Sequence, residues 1–179
     1  MREDIASILL SEEQIHTRVR ELGAEISRDY AGKEPLFVGV LKGCFIFMAD
    51  LFREVTIPGS VDFMAVSSYG NGTSTTGAVK INKDLSQDIE NRDVIIVEDI
   101  LDSGITLSYL TKYLQNRKPS SICIATLLDK PARRRADVQA KYVGFTVPDA
   151  FVVGYGLDYA EKYRNLPYVG VLKPEVYEG

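Results

Sequence analysis

The chain has 179 residues, 45% hydrophobic and 26% charged, which suffices for one compact domain with a substantial core. A net charge of −4 argues against a general nucleic-acid binder, although it leaves room for a local basic patch. Two cysteines, Cys44 and Cys123, supply neither a disulfide framework nor paired metal-ligand spacing, and no apolar run approaches the roughly 20 residues that a membrane helix needs.

The acidic opening MREDIASILLSEEQ lacks a signal-peptide pattern, and both thiols fit a reducing compartment, so a cytoplasmic location is expected. Ser11-Glu12-Glu13-Gln14 has the form of a capping box, with Ser11 as N-cap. The predicted helix runs to about Tyr30, with Ile15, Val19, Leu22 and Ile26 on one face, and Gly32 and Pro35 end it. Residues 35–41 form a short buried strand, and Lys42-Gly43 turns it into an apolar helix over roughly 44–53. Another strand covers 61–67. The stretch YGNGTSTTG, 69–77, has no apolar anchor and reads as a mobile loop before a return strand at 79–83. A strand at 94–97 and a helix at 106–115 form the central unit. Residues 122–128 are the next strand, and Lys130-Pro131 opens a basic connection. Segments 142–147, 151–153 and 168–171 are short late strands.

Strands alternating with helices imply an α/β protein with right-handed crossovers and a mainly parallel, twisted sheet flanked by helices. There is no linker, repeat or low-complexity segment, so residues 1–179 read as a single domain. Ligands of such sheets sit beyond the carboxyl ends of the strands. The turns after Leu41, Val97 and Leu128 should therefore share one crevice, with the excursion at 68–79 reaching over it as a lid.

Residues 94–106, VIIVEDILDSGIT, carry the chemistry. A buried strand delivers Glu98, Asp99 and Asp102 to a turn of small residues, Ser103 and Gly104, before Ile105 and Thr106 open a helix. Backbone N–H groups of such a turn and helix start hold a phosphate, and Thr106 adds a hydroxyl donor. The carboxylates suit ribose hydroxyls, a metal ion or a proton transfer. The bland reading is a solvated acidic loop after a core strand. The pattern is not a Walker loop, because G-x-x-x-x-G-K-[ST] is absent.

This segment resembles the phosphoribosyl-diphosphate signature of type I phosphoribosyltransferases. The resemblance implies a 5′-phosphate cradled by Asp102, Ser103, Gly104, Ile105 and Thr106, and an acidic pair, Glu98 and Asp99, that contacts ribose hydroxyls and helps hold magnesium. Further segments resemble the bacterial-type hypoxanthine-guanine phosphoribosyltransferases. Leu41-Lys42-Gly43-Cys44 looks like their diphosphate-binding turn, with Lys42 and Gly43 addressing pyrophosphate. Many relatives have a second glycine or another small residue where Cys44 stands. Lys130 matches the lysine that donates to the purine 6-oxygen, which favours hypoxanthine, guanine or xanthine over adenine. Residues 147–170 are similar to the purine-binding end of these enzymes. Phe151 would stack on the base, Val152 would meet its edge through the backbone, Asp158 would bind the base region and a second magnesium ion, and Arg164 would reach the pyrophosphate. Ser68 and Tyr69 match the tip of the catalytic lid, and Asp102 is the expected general base. The resemblance also implies a core over about 36–145, with a small hood from the N-terminal segment and about 146–179.

Without the resemblance, Lys42 and Lys130 read as surface lysines, Phe151 as a core aromatic, and Asp158 and Arg164 as surface charges. The implied partners are 5-phosphoribosyl 1-diphosphate, hypoxanthine or guanine and two magnesium ions, one carried with the sugar diphosphate. A homodimer or homotetramer is expected, without nucleic acid or membrane. The alternatives are a regulator that senses the sugar diphosphate on the same fold, and a xanthine-preferring enzyme. An RNA-binding version would need a basic face, for which Arg133, Arg134, Arg135 and Lys141 are the candidates.

Overall fold

The computed structural model describes residues 1–68 and 79–179. In chain order the elements are β1 (Ile5–Leu10), α1 (Glu12–Asp29), β2 (Leu36–Leu41), α2 (Phe45–Glu54), β3 (Ser60–Ser68), β4 (Val79–Lys83), β5 (Asp93–Leu101), α3 (Ile105–Gln115), β6 (Ser121–Asp129), β7 (Tyr142–Thr146), β8 (Val152–Val153), β9 (Val169–Leu172) and α4 (Pro174–Glu178). The capping box forms: Gln14 N donates to Ser11 Oγ at 3.1 Å, and Ser11 N donates to Gln14 Oε1 at 2.8 Å. The stripe Ile15, Val19, Leu22 and Ile26 is buried.

Six strands make the main sheet in the order β4-β3-β2-β5-β6-β7. Every pair is parallel except β3 with β4. Helices cover both faces, so the central strands alternate between two cores rather than between core and water. Ile95 and Val97 enter the cluster of α1 and α2, and Val94 and Ile96 enter the cluster that contains Leu107, Leu110 and Leu114 of α3. That alternation explains the unbroken apolar run at 94–97. The chain leaves β2 for β3 on one side and returns to β5 on the other. Such a reversal of strand order opens a crevice at the carboxyl ends of the two central strands, β2 and β5.

β5 runs four residues past the expected end. Asp and Glu are poor strand formers, which favours stopping at Val97. Pairing with β6 continues through Ile100↔Leu128 and Leu101↔Asp129, so the ladder overrides propensity. Glu98 and Asp99 therefore lie in the strand, and the turn begins at Asp102.

A second, antiparallel sheet, β1-β9-β8, joins the two ends of the chain. β1 was not expected from the sequence. Half of its side chains are exposed and only Leu10 is buried, so its pairing with β9 is a backbone matter that leaves little side-chain pattern. α4, five residues long, is too short to show a period. Among the described residues no helix is long and apolar enough to cross a membrane.

Candidate active site

The turn after β5 is tightly held and presents small residues to a cavity. Gly104 caps α3 at φ 82°, a left-handed conformation in which a Cβ would also stand 2.4 Å from Val138 Cγ1. Ser103 is fixed through its carbonyl, which accepts from Arg135 N at 2.8 Å, and its Oγ accepts from Ile105 N at 3.3 Å. Arg134 clamps the turn from behind: Nε donates to Asp102 O at 3.2 Å, one terminal nitrogen to Val138 O at 3.1 Å, and the other pairs with the Asp129 carboxylate. In front of the turn lies a cavity of about 300 Å³, with Asp102, Ser103, Gly104 and Thr106 on one wall. The N-terminal end of α3 adds a partial positive charge there.

Glu98 and Asp99 form another wall. Asp99 N donates to Glu98 Oε1 at 3.0 Å, and Ile100 N donates to Asp99 Oδ1 at 2.7 Å. Burial pushes the Glu98 carboxyl well above its usual range, and the adjacent Asp99 adds to the shift. Asp99 is also raised by burial, against the lowering effect of its hydrogen bonds with Glu98 and Ile100 and of Arg164. Two neighbouring acids, both reluctant to be charged, form a site short of positive charge.

The Lys42–Gly43 turn meets this pair. A Cβ on Gly43 would fall 1.9 Å from Asp99 Oδ2, so glycine is required for the carboxylate to lie where it does. The Leu41–Lys42 peptide is cis. Gly43 lines the cavity, whereas the Lys42 ammonium pairs with Glu161 Oε2 at 3.1 Å on the exposed rim. Cys44 is buried behind the turn, and burial together with Glu98 and Asp99 pushes its thiol up to about 12. Arg164 and Asp158 close the opposite side. One Arg164 nitrogen donates to Gly156 O at 2.6 Å, and another stands 3.5 Å from Asp158 Oδ1 and 3.2 Å from Glu161 Oε1. Arg164 Nε is buried without a hydrogen-bond partner among the described residues.

A second cavity of about 220 Å³ holds Lys130, Phe151 and Val152, and it shares Ile100, Asp102 and Asp158 with the first. Lys130 is not the surface lysine that its basic neighbourhood suggested. It is 7% exposed, and Nζ donates to Ala150 O at 2.9 Å. An ammonium has three donors, so further donors remain for a ligand. Phe151 is likewise no core aromatic, since it is 38% exposed at the cavity wall. Asp102 Oδ1 is buried without a hydrogen-bond partner among the described residues, and Arg133 Nε stands 3.5 Å from it.

The structure thus brings together the expected residues of β5, the α3 turn, Gly43, Lys130 and the 151–164 segment. Lys42 is left at the rim, and Ile105 lines neither cavity. Ser68 ends β3, and residues 69–78 of the expected lid at 68–79, Tyr69 among them, lie outside the described residues. Ile100 and Leu157 line the second cavity without having been singled out from sequence, and Arg133, read from sequence only as part of a candidate basic face, lines it too. Ile100 was hidden among strand hydrophobics, and Arg133 among three successive arginines.

An open sheet with a small-residue turn and helix start at its strand-order reversal, next to an aromatic and lysine-bearing hollow, defines an α/β protein with a ligand crevice at the carboxyl ends of its strands. Comparison with known proteins narrows that class. A family model described as a phosphoribosyl transferase domain matches residues 6–160. The hypoxanthine-guanine phosphoribosyltransferase of Bacillus subtilis (strain 168) is 60% identical over 178 residues, 99% of each chain. The enzyme of that name from Staphylococcus aureus (strain Mu50) is 57% identical over 177 residues, again 99% of each chain. A crystal structure of a hypoxanthine phosphoribosyltransferase from Staphylococcus aureus superposes with a TM-score of 0.98 at 56% identity, covering 100% of this chain and 97% of that one. The chain belongs to the phosphoribosyltransferase family, in its hypoxanthine-guanine branch, whose members are glycosyltransferases of purine salvage.

Proposed function

We propose that the protein transfers the 5-phosphoribosyl group of 5-phosphoribosyl 1-diphosphate to N9 of hypoxanthine or guanine, giving IMP or GMP and pyrophosphate. One observation carries this reading: two adjoining cavities, one acidic and open to the N-terminal end of α3 and one aromatic with a buried lysine, meet at Asp102. The 5′-phosphate takes the turn of Asp102, Ser103, Gly104, Ile105 and Thr106, and the ribose hydroxyls take Glu98 and Asp99. Gly43, Lys42 and Arg164 receive the pyrophosphate, for which Lys42 must leave Glu161. In the second cavity Phe151 stacks on the base, Lys130 donates to its 6-oxygen, and Val152 and Asp158 meet its edge. Ser68 and Tyr69 belong to the lid that keeps water away. The core over about 36–145 holds the sugar diphosphate, and the terminal segments form the hood over the base.

The donor set fits magnesium brought with the substrate. Among the described residues no group of three potential ligands could hold a metal unaided. Magnesium, however, is commonly held by one or two carboxylates plus substrate phosphates. Glu98 and Asp99 would hold one ion and Asp158 a second, and the ions would neutralise charge on the departing diphosphate.

In the reaction the bond from ribose C1 to the pyrophosphate oxygen breaks as N9 bonds to C1. Positive charge grows on the ribose ring, where Glu98 and Asp99 place negative charge, and negative charge leaves toward Arg164 and Lys42. The base sheds its N7 proton, or the equivalent tautomeric proton, to Asp102, whose buried Oδ1 has no hydrogen-bond partner among the described residues. Water excluded from the closed site cannot capture the ribose cation.

A spectrophotometric assay with the sugar diphosphate, magnesium and each of hypoxanthine, guanine, xanthine and adenine tests the reading. Nucleotide from hypoxanthine or guanine is expected, and product with adenine alone would overturn the base assignment. Tight sugar-diphosphate binding with no product from any base would mark a sensor instead. Lys130→Ala should weaken guanine binding by about tenfold or more, as expected when a hydrogen bond to a charged donor is lost. Unaltered affinity removes Lys130 from base recognition. A cytoplasmic location and a homodimer or homotetramer complete the proposal, the assembly supported by Phe45, 46% exposed at the start of α2. Light scattering of the purified protein tests that assembly, and a monomer would refute it.

A further inference from the structure

A ring that stacks on a ligand needs support on its other face. Phe151 precedes β8, lies in no strand and is 38% exposed, so its position is not set by the main sheet. The C-terminal elements hold it. Leu172 N donates to Phe151 O at 2.9 Å, which fixes the backbone. The Tyr177 ring of α4 stacks on the Phe151 ring, with centroids 4.5 Å apart and planes 18° apart. Tyr159 lies roughly perpendicular to Phe151, with centroids 5.6 Å apart and planes at 83°. Tyr177 and Tyr159 in turn pack on the small core of Val153, Tyr163, Leu166, Tyr168 and Leu172. The base-side cavity is lined by Phe151 but not by Tyr177. Tyr177 thus covers one face of the Phe151 ring while lying outside that cavity.

We propose that Tyr177 is a positioning residue for the purine, backing Phe151 so that Tyr177, Phe151 and the bound base form a continuous three-ring stack. The proposal rests on the stacking role given to Phe151 above. Tyr177 touches no substrate and acts only by holding the Phe151 plane parallel to the incoming base. Its hydroxyl plays no part, because the contact is ring on ring. An aromatic pair is worth a modest amount beyond its buried area, which sets the scale of the effect.

Steady-state kinetics on the full chain test this with five proteins: the unmodified enzyme, Tyr177→Ala, Tyr177→Phe, Phe151→Ala and the double variant Phe151→Ala with Tyr177→Ala. Tyr177→Ala is expected to raise KM for hypoxanthine and guanine about two- to tenfold, the range of an aromatic pair. Its KM for the sugar diphosphate should stay within about twofold of the original, less than the aromatic-pair range allows for the base. Tyr177→Phe should restore the base KM. In a Phe151→Ala background, Tyr177→Ala should add nothing further. KM does not depend on how much of the protein is folded, so loss of folded enzyme cannot imitate this pattern. If Phe151→Ala raises the base KM and Tyr177→Ala does not, the stack is overturned while the base site stands. If Tyr177→Ala lowers the base KM, Tyr177 obstructs the site and the proposal fails. If Phe151→Ala itself leaves the base KM unchanged, the assignment of the base site fails first.

Discussion

Glu98 and Asp99 show how far a site can depart from what favours folding. Each is partly buried beside the other, and burial raises the proton affinity of both. For Glu98 the unfolded value is near 4.5 and the folded value lies well above it. Between those two values the folded protein keeps a proton that the unfolded chain has released. Stability of the ligand-free protein therefore falls as pH rises through that window, and the full penalty remains above it. Glu98→Gln removes the charge and keeps the Oε1 acceptor for Asp99 N. At pH 7.5 this variant should melt about 2–4 °C higher than the original, the shift expected per kcal/mol for a chain of this size. The advantage should vanish as pH falls below the unfolded value. The same variant should bind the sugar diphosphate more weakly, a loss of function accompanying a gain in stability. Melting curves at several pH values with and without magnesium and sugar diphosphate check both parts. A variant that melts lower at pH 7.5 would refute the account. The sequence showed these two acids plainly, as polar residues at the end of a run of buried ones, but not their mutual burial, which depends on Gly43 lying against Asp99.

At the scale of elements, the strand-to-helix joints place the chemistry. The β2–α2 joint brings Gly43 so close to Asp99 that an added methyl would overlap Oδ2 at 1.9 Å. A carboxylate can swing aside more easily than a backbone, so Gly43→Ala should fold and displace Asp99. The expected result is an increase of about tenfold or more in KM for the sugar diphosphate, the scale of one lost charge-assisted contact. KM for the base should move less, because the second cavity does not include Gly43. Equal changes in both values would show that the joint serves the whole site. The β5–α3 joint was readable as a small-residue turn, yet its starting point was misplaced. Local preference ends a strand at acids, and only the β6 partner extends β5 to Leu101. The Ser11 capping box, by contrast, needs no distant partner and was read correctly.

For the whole molecule, the two ends of the chain meet in one small sheet that also carries β8, next to Phe151 and the proposed base site. β1 pairs with β9, β9 pairs with β8, and Tyr163 in the segment between them donates through its hydroxyl to Asp4 at 2.8 Å. Deleting residues 1–10 should therefore raise KM for the base more than KM for the sugar diphosphate. A difference of about tenfold is the scale expected from losing ordered support for Phe151 and its neighbours. Parallel titrations of the two substrates measure it, and an equal effect on both would show that the terminal sheet does not serve the base side selectively. The sequence by itself determined the alternating strands and helices, the doubly covered parallel sheet, the first helix with its cap, and the acidic and small-residue signature. These follow from hydrophobic period, capping chemistry and turn residues, all of which act over a few positions. Only the tertiary structure decided that Lys130 is buried, that Phe151 is exposed at a cavity with Tyr177 behind it, that Lys42 rests on Glu161, and that β1 exists as a strand. Each of those depends on a contact between residues far apart in the chain, and side-chain pattern along the sequence carries little record of such contacts.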